Sequence, residues 1–202
     1  LEGTEWDDGD QKTYWCSVGP EEIWDVDSLW FANSGVLNID GTPYDTNGNI
    51  IDVKNGAQLD LNDDILYTMV GPASNGIIAM RGSGYATDAI RCFYMDVNGN
   101  ITKMFPKADV NGITTVYVPD QGLCLAEYRQ VDENWNGTWY WGVLNENGSW
   151  VYQPTLSNFR FFLSGRFFSD GLLVVQNDNG MYGAIDRSGN VVIPFSYEFL
   201  SS

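Results

Sequence analysis

The sequence predicts an all-β fold made of four antiparallel meander repeats of three or four strands each. Its short apolar runs are separated by Gly, Asn and Asp, a pattern typical of strands joined by tight turns. Two sequence markers each recur four times along the 202 residues. The 22 glycines and the 14% aromatic content supply turns and core material for such a fold.

The first marker is a glycine followed directly by an apolar strand. Its four glycines lie 41, 46 and 49 residues apart and are Gly35, Gly76, Gly122 and Gly171. A period of about 40 to 50 residues is typical of stacked or radially arranged supersecondary units. We therefore divide residues 29–202 into units 1 to 4, which start near these four glycines.

The second marker is the motif Asp/Asn-x-Asn/Ser-Gly-Asn/Ser, which we call the corner turn. Its four glycines lie 51, 49 and 41 residues apart and are Gly48, Gly99, Gly148 and Gly189. The Asp or Asn at its first position accepts hydrogen bonds from backbone N–H groups that follow, and the glycine adopts a left-handed conformation. Each corner turn is therefore predicted to join the second and third strands of its unit.

The spacing between the two markers differs from unit to unit. It is 13, 23, 26 and 18 residues in units 1 to 4, which predicts insertions in the loop after the first strand. The longest insertion falls in unit 3, between Gly122 and Gly148.

Residues 1–28 fit the repeat least well and are predicted to form an N-terminal segment with one spare strand. The strand covers Thr13–Val18 and follows an acidic opening at residues 5–10. It could pair with the far end of the array or cover an open sheet edge. Two arrangements of the four units stay open, a propeller-like ring and an open repeat array.

Aromatic–glycine pairs stand before the last two corner turns, at Trp141-Gly142 and Tyr182-Gly183. In unit 4 the pair lies between the segments Phe168–Leu172 and Val191–Tyr197, and the whole unit resembles the WG-repeat (KWG) family of bacterial proteins. Unit 3 keeps the Trp-Gly pair but replaces the Val-Ile-Pro segment with Trp150–Pro154. Units 1 and 2 are assigned to the repeat on the basis of the two markers alone. The resemblance implies an all-β array, common in surface or secreted proteins, whose repeat defines no catalytic residues.

Composition narrows the classes of partner and chemistry. The net charge of −17 repels phosphate backbones and anionic lipid, so neither nucleic acid nor a membrane surface is an expected partner. No apolar run is long enough to span a bilayer. With no His and three scattered Cys, no zinc site, cofactor or His-dependent catalysis is expected. The corner turns resemble calcium loops only superficially, because their glycine is fourth rather than sixth.

The strongest binding candidate is the insertion in unit 3, where Trp135 and Trp139 flank an Asn-Gly turn beside Asp132, Glu133 and Asn134. Exposed aromatic faces next to carboxylates and amides would suit a sugar ring, and they would also suit a protein partner. The alternative is that both indoles pack across a hairpin or on the core.

These patterns lead to a function hypothesis and two alternatives. The first is a non-catalytic binding or spacer module, extracellular or on a bacterial cell surface, that engages a glycan or another protein. The alternatives are a carboxylate-dependent hydrolase such as a glycosidase, and a structural array for assembly of unknown oligomeric state. Because the chain begins at Leu1, we expect that a signal peptide or an upstream domain has been removed.

Overall fold

The computed structural model describes residues 35–61, 64–84, 89–155, 170–177 and 179–200 in full, and the backbone of residues 2–7, 10–15, 29–31 and 156. In this part of the chain the fold is all-β, as predicted. It contains sixteen strands in five antiparallel sheets, and its single helical element is a short 3-10 turn at Gly56–Leu59.

The strands form meanders in which each pairs with its neighbour in sequence. The sheet before the repeats contains β1 (Glu2–Asp7) and β2 (Asp10–Trp15), and unit 1 contains β3 (Leu29–Phe31), β4 (Leu37–Ile39) and β5 (Thr42–Tyr44). Unit 2 contains β6 (Ile65–Met69), β7 (Ile78–Gly84), β8 (Ile90–Met95) and β9 (Ile101–Met104). Unit 3 contains β10 (Gly112–Val116), β11 (Leu123–Val131), β12 (Gly137–Asn145) and β13 (Trp150–Leu156), and unit 4 contains β14 (Leu172–Gln176), β15 (Tyr182–Asp186) and β16 (Val191–Tyr197).

The corner turns follow successive antiparallel strands as predicted, but only in unit 4 does the turn join the second and third strands, because units 2 and 3 each have an additional strand before the marker glycine. They join β8 to β9, β12 to β13 and β15 to β16, and the turn of unit 1 joins β5 to a bridge between Tyr44 and Ile50. In every one, the N–H of the glycine donates to the backbone carbonyl of the first residue at 2.9–3.0 Å. The four copies therefore share one local structure, with glycine φ between 80° and 85°.

The N-terminal segment differs from the single spare strand that was predicted. Strands β1 and β2 pair with each other, from Glu2 with Trp15 to Asp7 with Asp10. In a hairpin the facing backbone groups of the two strands hydrogen-bond to each other, so these residues form a separate two-stranded sheet. Residues 16–18 of the predicted strand, Cys16 among them, lie outside the described residues.

The sheets stack in chain order because alternate residues of each strand face opposite neighbours. In β11, Leu123 and Leu125 lie in a cluster shared with unit 4, whereas Cys124 and Ala126 lie in a cluster shared with unit 2. A further cluster joins unit 1 to unit 2. We call the side of a unit that meets the following unit its forward face, and the opposite side its backward face.

Corner turns reinforce this stacking, because two of them lie directly on the segment that follows the corner turn of the preceding unit. A Cβ on Gly189 would lie 2.5 Å from the carbonyl oxygen of Val151. A Cβ on Gly99 would collide with the carbonyl oxygen of Asp52. The N–H of Lys54 also donates to the carbonyl of Gly99 at 2.8 Å. At these two positions glycine is needed for close approach as well as for its positive φ.

The described strands favour the open array over the ring. Consecutive units are joined by the three clusters, and no pairing within the described residues joins unit 4 to the first two sheets. The fold is thus a stack of small twisted sheets, each of which needs its neighbours to bury its two faces.

Candidate binding site

The site is carried by the long hairpin of β11 and β12 in unit 3. These strands pair over nine residues each, from Leu123 with Asn145 to Val131 with Gly137. The residues at the base are buried between neighbouring sheets, and exposure rises toward the tip. The extra length of unit 3 therefore extends two strands, and the prediction of a long loop was wrong. A hairpin gains cross-strand hydrogen bonds as it lengthens, which a loop of equal length does not.

The tip of the hairpin, Asp132–Asn136, has the structure of a corner turn. Asp132 Oδ1 accepts from the backbone N–H groups of Asn134 at 2.9 Å and Asn136 at 2.8 Å, and its Oδ2 accepts from Asn136 Nδ2 at 3.0 Å. Asp96 and Asn100 make the same contacts in the corner turn of unit 2. Hydrogen bonds from the side chain and the backbone of Asn136 lower the pKa of Asp132 below its ordinary value of 3.8.

Trp135 occupies the position that glycine holds in the corner turns. Its φ is +65°, in the left-handed region, and its side chain is 77% exposed. A non-glycine residue in this region costs about 1–2 kcal/mol, and for a bulky residue the conformation is rare. Because the indole is mostly in solvent, packing does not offset this cost. Such strain is characteristic of functional sites.

Trp139 lies on β12, opposite Arg129 on β11, and is 47% exposed. Its ring lies over Gly137, where a Cβ would be 3.0 Å from Cη2 of the indole. Covering a strand glycine with an aromatic ring protects the backbone there and orients the ring. Gly137 opens β12, so the predicted Asn-Gly turn was wrong, and Trp135 lies inside the turn rather than beside it.

The loop before β10 braces the outer part of the hairpin. The guanidinium of Arg129 donates to the carbonyl oxygens of Val110 at 2.8 Å and Asp109 at 3.2 Å. The backbone N–H of Val131 donates to Asn111 Oδ1 at 2.7 Å. These bonds hold the last residues of β11 against a second segment, so the turn is presented on a supported strand pair.

The structure separates the five predicted site residues by role. Trp135, Trp139, Glu133 and Asn134 are exposed at the tip. Both carboxylate oxygens of Asp132 accept hydrogen bonds within the turn, so this residue shapes the loop. Asn136 was missed by sequence reasoning. The alternation of Asp132, Asn134 and Asn136, which matches the corner turns except at the glycine, was the signal that could have identified it.

The glycine of each aromatic–glycine pair lies beside an aromatic ring from the strand that follows it. The ring nearest to Gly142 belongs to Trp150, at 2.7 Å from an added Cβ, and the ring nearest to Gly183 belongs to Phe195, at 3.0 Å. Each glycine thus accommodates the last strand of its unit. Trp141 packs against the cluster between units 3 and 4, and Tyr182 is buried.

An open depression of about 580 Å³ lies between units 3 and 4. Arg187 donates to the carbonyl of Gln121 at its rim, and the lining includes a single carboxylate, Glu146. Hydrolysis by paired carboxylates needs two such groups about 5–10 Å apart. This depression therefore offers no support for the hydrolase alternative.

Two of the three cysteines lie in the described part of the chain, and both are buried free thiols. Burial raises the pKa of Cys92 to about 12 and also raises that of Cys124. Both behave as small core side chains in the cluster between units 2 and 3.

Comparison with known proteins identified one matching family model, described as a WG-containing repeat, over residues 141–180 and 182–202. This match confirms the predicted resemblance over the second half of unit 3 and unit 4. No curated protein matched the chain. Among the described residues, no helix is long and apolar enough to cross a membrane, and no group of three or more His, Cys, Asp or Glu could hold a metal ion.

Proposed function

We propose that this chain, which carries WG-containing repeats at residues 141–180 and 182–202, is a non-catalytic module that binds a glycan through the tip of the β11–β12 hairpin. In this proposal the stacked sheets are a scaffold. The ligand-contacting groups are the indoles of Trp135 and Trp139 with the side chains of Glu133 and Asn134.

The observation that carries the proposal is the conformation of Trp135. Five turns of the described chain share its hydrogen-bonding pattern, and glycine fills the left-handed position in each: Gly48, Gly99, Gly148, Gly180 and Gly189. At the tip of the longest hairpin a 77% exposed tryptophan stands there instead. A residue that strains the backbone without packing on the core is best explained by a contact outside the molecule.

The chemistry of the tip favours a sugar over a protein partner. Indole rings offer a rigid apolar face with a polar N–H, and flanking carboxylate and amide groups can orient hydroxyls. The tip presents two separate indoles on one narrow turn, whereas a stable protein interface buries about 800 Å² on each partner. With a net charge of −17, a neutral or amino-substituted glycan is favoured over an acidic one.

The test is retention on a panel of neutral, amino-substituted and acidic polysaccharides in native affinity gels. We expect slowed migration in at least one neutral or amino-substituted gel, and its loss in Trp135→Ala and Trp139→Ala. Leu66→Ala is the matched control, because Leu66 is a 62% exposed apolar residue on β6, away from the tip. The absence of retention in every gel, or equal retention of all three variants, would contradict the proposal.

A cell-surface or extracellular location on a bacterium belongs to the same proposal, because a glycan-binding tip needs an exposed glycan. Limited protease treatment of intact cells that express the full natural protein should degrade this chain. Complete protection in intact cells, with degradation after lysis, would contradict the surface assignment.

A further inference from the structure

We propose that Glu127, on the hairpin that carries the tip, selects the sugar, and that its carboxylate binds the protonated amine of an amino-substituted glycan. This assignment rests on the proposed function, and it narrows the ligand from neutral or amino-substituted glycans to the second class. Glu127 lies on β11 two residues beyond Leu125, which packs in the cluster between units 3 and 4. Its side chain is therefore on the forward face of unit 3.

A β-bulge in β10 fixes the carboxylate of Glu127. The pairing of β10 with β11 shifts register between Ile113 and Thr115, which leaves Thr114 as an extra residue. Successive residues of a regular strand face opposite sides of the sheet, and a bulge breaks this alternation. Both threonine hydroxyls donate to Glu127 Oε2, that of Thr114 at 2.9 Å and that of Thr115 at 3.1 Å. The carboxylate is therefore held in one orientation.

The negative charge of Glu127 is not balanced within the described part of the chain. No described residue donates to its Oε1 atom or forms an ion pair with it. Arg129, two residues along the same strand, donates to the carbonyl oxygens of Val110 and Asp109. The two threonines need only an acceptor, which the uncharged amide of a glutamine would also supply. Because a half-buried carboxylate without a cation is costly, its charge is best explained by a cation from outside the molecule.

Aromatic rings lie beside this carboxylate. Trp141 is directly opposite Glu127 on β12, and Trp139 is two residues nearer the tip on the same face. Side chains in such diagonal positions are about 7–8 Å apart, so one sugar ring can contact both Trp139 and Glu127. The ring centroid of Tyr117 lies 6.2 Å from that of Trp141. Burial, followed by the negative charge of Glu127, raises the pKa of Tyr117 to about 12, as expected for a carboxylate close to the phenol.

A protonated amine is the sugar substituent that suits this arrangement. An ammonium group donates charge-assisted hydrogen bonds to a carboxylate, and these are stronger than hydrogen bonds between neutral groups. The face of an indole also attracts a nearby cation. An acetylated amine carries no charge and gains neither interaction. Glu127 should therefore distinguish a sugar amine from its acetylated form.

The experiment is isothermal titration calorimetry with glucosamine oligomers and with N-acetylglucosamine oligomers of equal length, at a pH at which the amine is protonated. The preference is the ratio of the Kd for the acetylated oligomer to the Kd for the amine oligomer. We expect the parent chain to prefer the amine oligomer. Glu127→Gln keeps an acceptor for both threonines but removes the charge, so it should reduce this preference at least about tenfold.

Glu146→Gln is the matched control. Glu146 is exposed in the corner turn of unit 3, at the other end of β12 from the tip. Each variant has one fewer than the 27 acidic residues of the parent chain, so the general attraction of the chain for a cationic oligomer falls equally in both. Glu146→Gln should leave the preference unchanged.

Circular dichroism checks that the variants are folded. If Glu127→Gln is not, Thr115→Val takes its place, because it keeps the charge but removes one of the two donors that orient it, and it should also reduce the preference. An unchanged preference in the folded variant, or an equal reduction in Glu146→Gln, would overturn the assignment. A parent chain that binds the acetylated oligomer at least as tightly would overturn it too, while leaving the glycan proposal intact. Absence of binding to both oligomers would overturn it as well, and the polysaccharide gels then decide the glycan proposal separately.

Discussion

Replacement of Trp135 with glycine should stabilise the fold while it removes the proposed binding group. The left-handed φ of +65° costs a non-glycine residue about 1–2 kcal/mol, and glycine carries no such penalty. Against this gain stands the greater freedom of glycine in the unfolded chain, about 0.5–1 kcal/mol. Since the indole is 77% exposed, little packing is lost. We expect the free energy of unfolding to rise by about 0.5–1 kcal/mol.

Trp135→Ala is the matched control, because alanine removes the indole but keeps a Cβ in the strained position. Urea unfolding followed by far-UV circular dichroism measures both variants against the parent chain. Trp135→Gly should be more stable than Trp135→Ala by about 1 kcal/mol. If Trp135→Gly is destabilised, or if the two variants are equal, then the indole packs on the fold or the turn relaxes, and the reasoning from strain is refuted.

Three further predictions concern the corner turns and the core. Gly189→Ala should lower the free energy of unfolding by about 2 kcal/mol or more, because it adds a clash with the carbonyl of Val151 to the strain of a φ of 83°. Gly48 has a φ of 81° and open space around it, so Gly48→Ala should lower the free energy of unfolding by only about 1 kcal/mol. Equal losses in urea unfolding would contradict the stacking contact. Hydrogen bonds from Asn100 lower the pKa of Asp96, so the contribution of Asp96 to stability is present above its unfolded pKa and is lost as pH falls through its lower folded pKa. The urea concentration at the unfolding midpoint should therefore decrease when the pH is lowered below about 4, and it should decrease less in Asp96→Asn. An equal decrease in both proteins would contradict this assignment. The pKa of Cys92 is raised to about 12 by burial, so Cys92 should react with a thiol reagent only in denaturant. Peptide mass spectrometry locates the label. Rapid labelling of Cys92 in the native chain would show that the junction between units 2 and 3 is open.

The repeat could be read from the sequence because its corner turns depend on local chemistry. Asp96, Gly99 and Asn100 form their turn from contacts within five residues, so residue types at fixed spacing were enough to predict it. The alternation of Leu123 and Cys124 between two junctions follows from the strand period of two. Both levels of the fold were therefore predictable.

The tip of the unit 3 hairpin was only partly predictable for the same reason. A turn with tryptophan in the glycine position does not match a motif that requires glycine, so Asp132–Asn136 was not recognised as a corner turn. With the turn displaced onto residues 136 and 137, the length of β11 and β12 was underestimated as well. The strain that marks Trp135 exists only in backbone angles, which residue type alone does not reveal.

Side-chain contacts between paired strands also lay beyond the sequence. Which ring would lie against Gly142 depends on how β13 crosses β12, where the pairing shifts register twice. Long-range arrangement of this kind is set by packing, which periodicity does not determine.

The most direct test of the central claim compares the parent chain with Trp135→Gly in the same polysaccharide affinity gel. The claim is that the turn at Asp132–Asn136 has tryptophan in place of glycine because the indole contacts a ligand. It predicts that Trp135→Gly is folded, at least as stable as the parent, and at least about tenfold weaker in binding. Undiminished binding by a folded Trp135→Gly variant would contradict it.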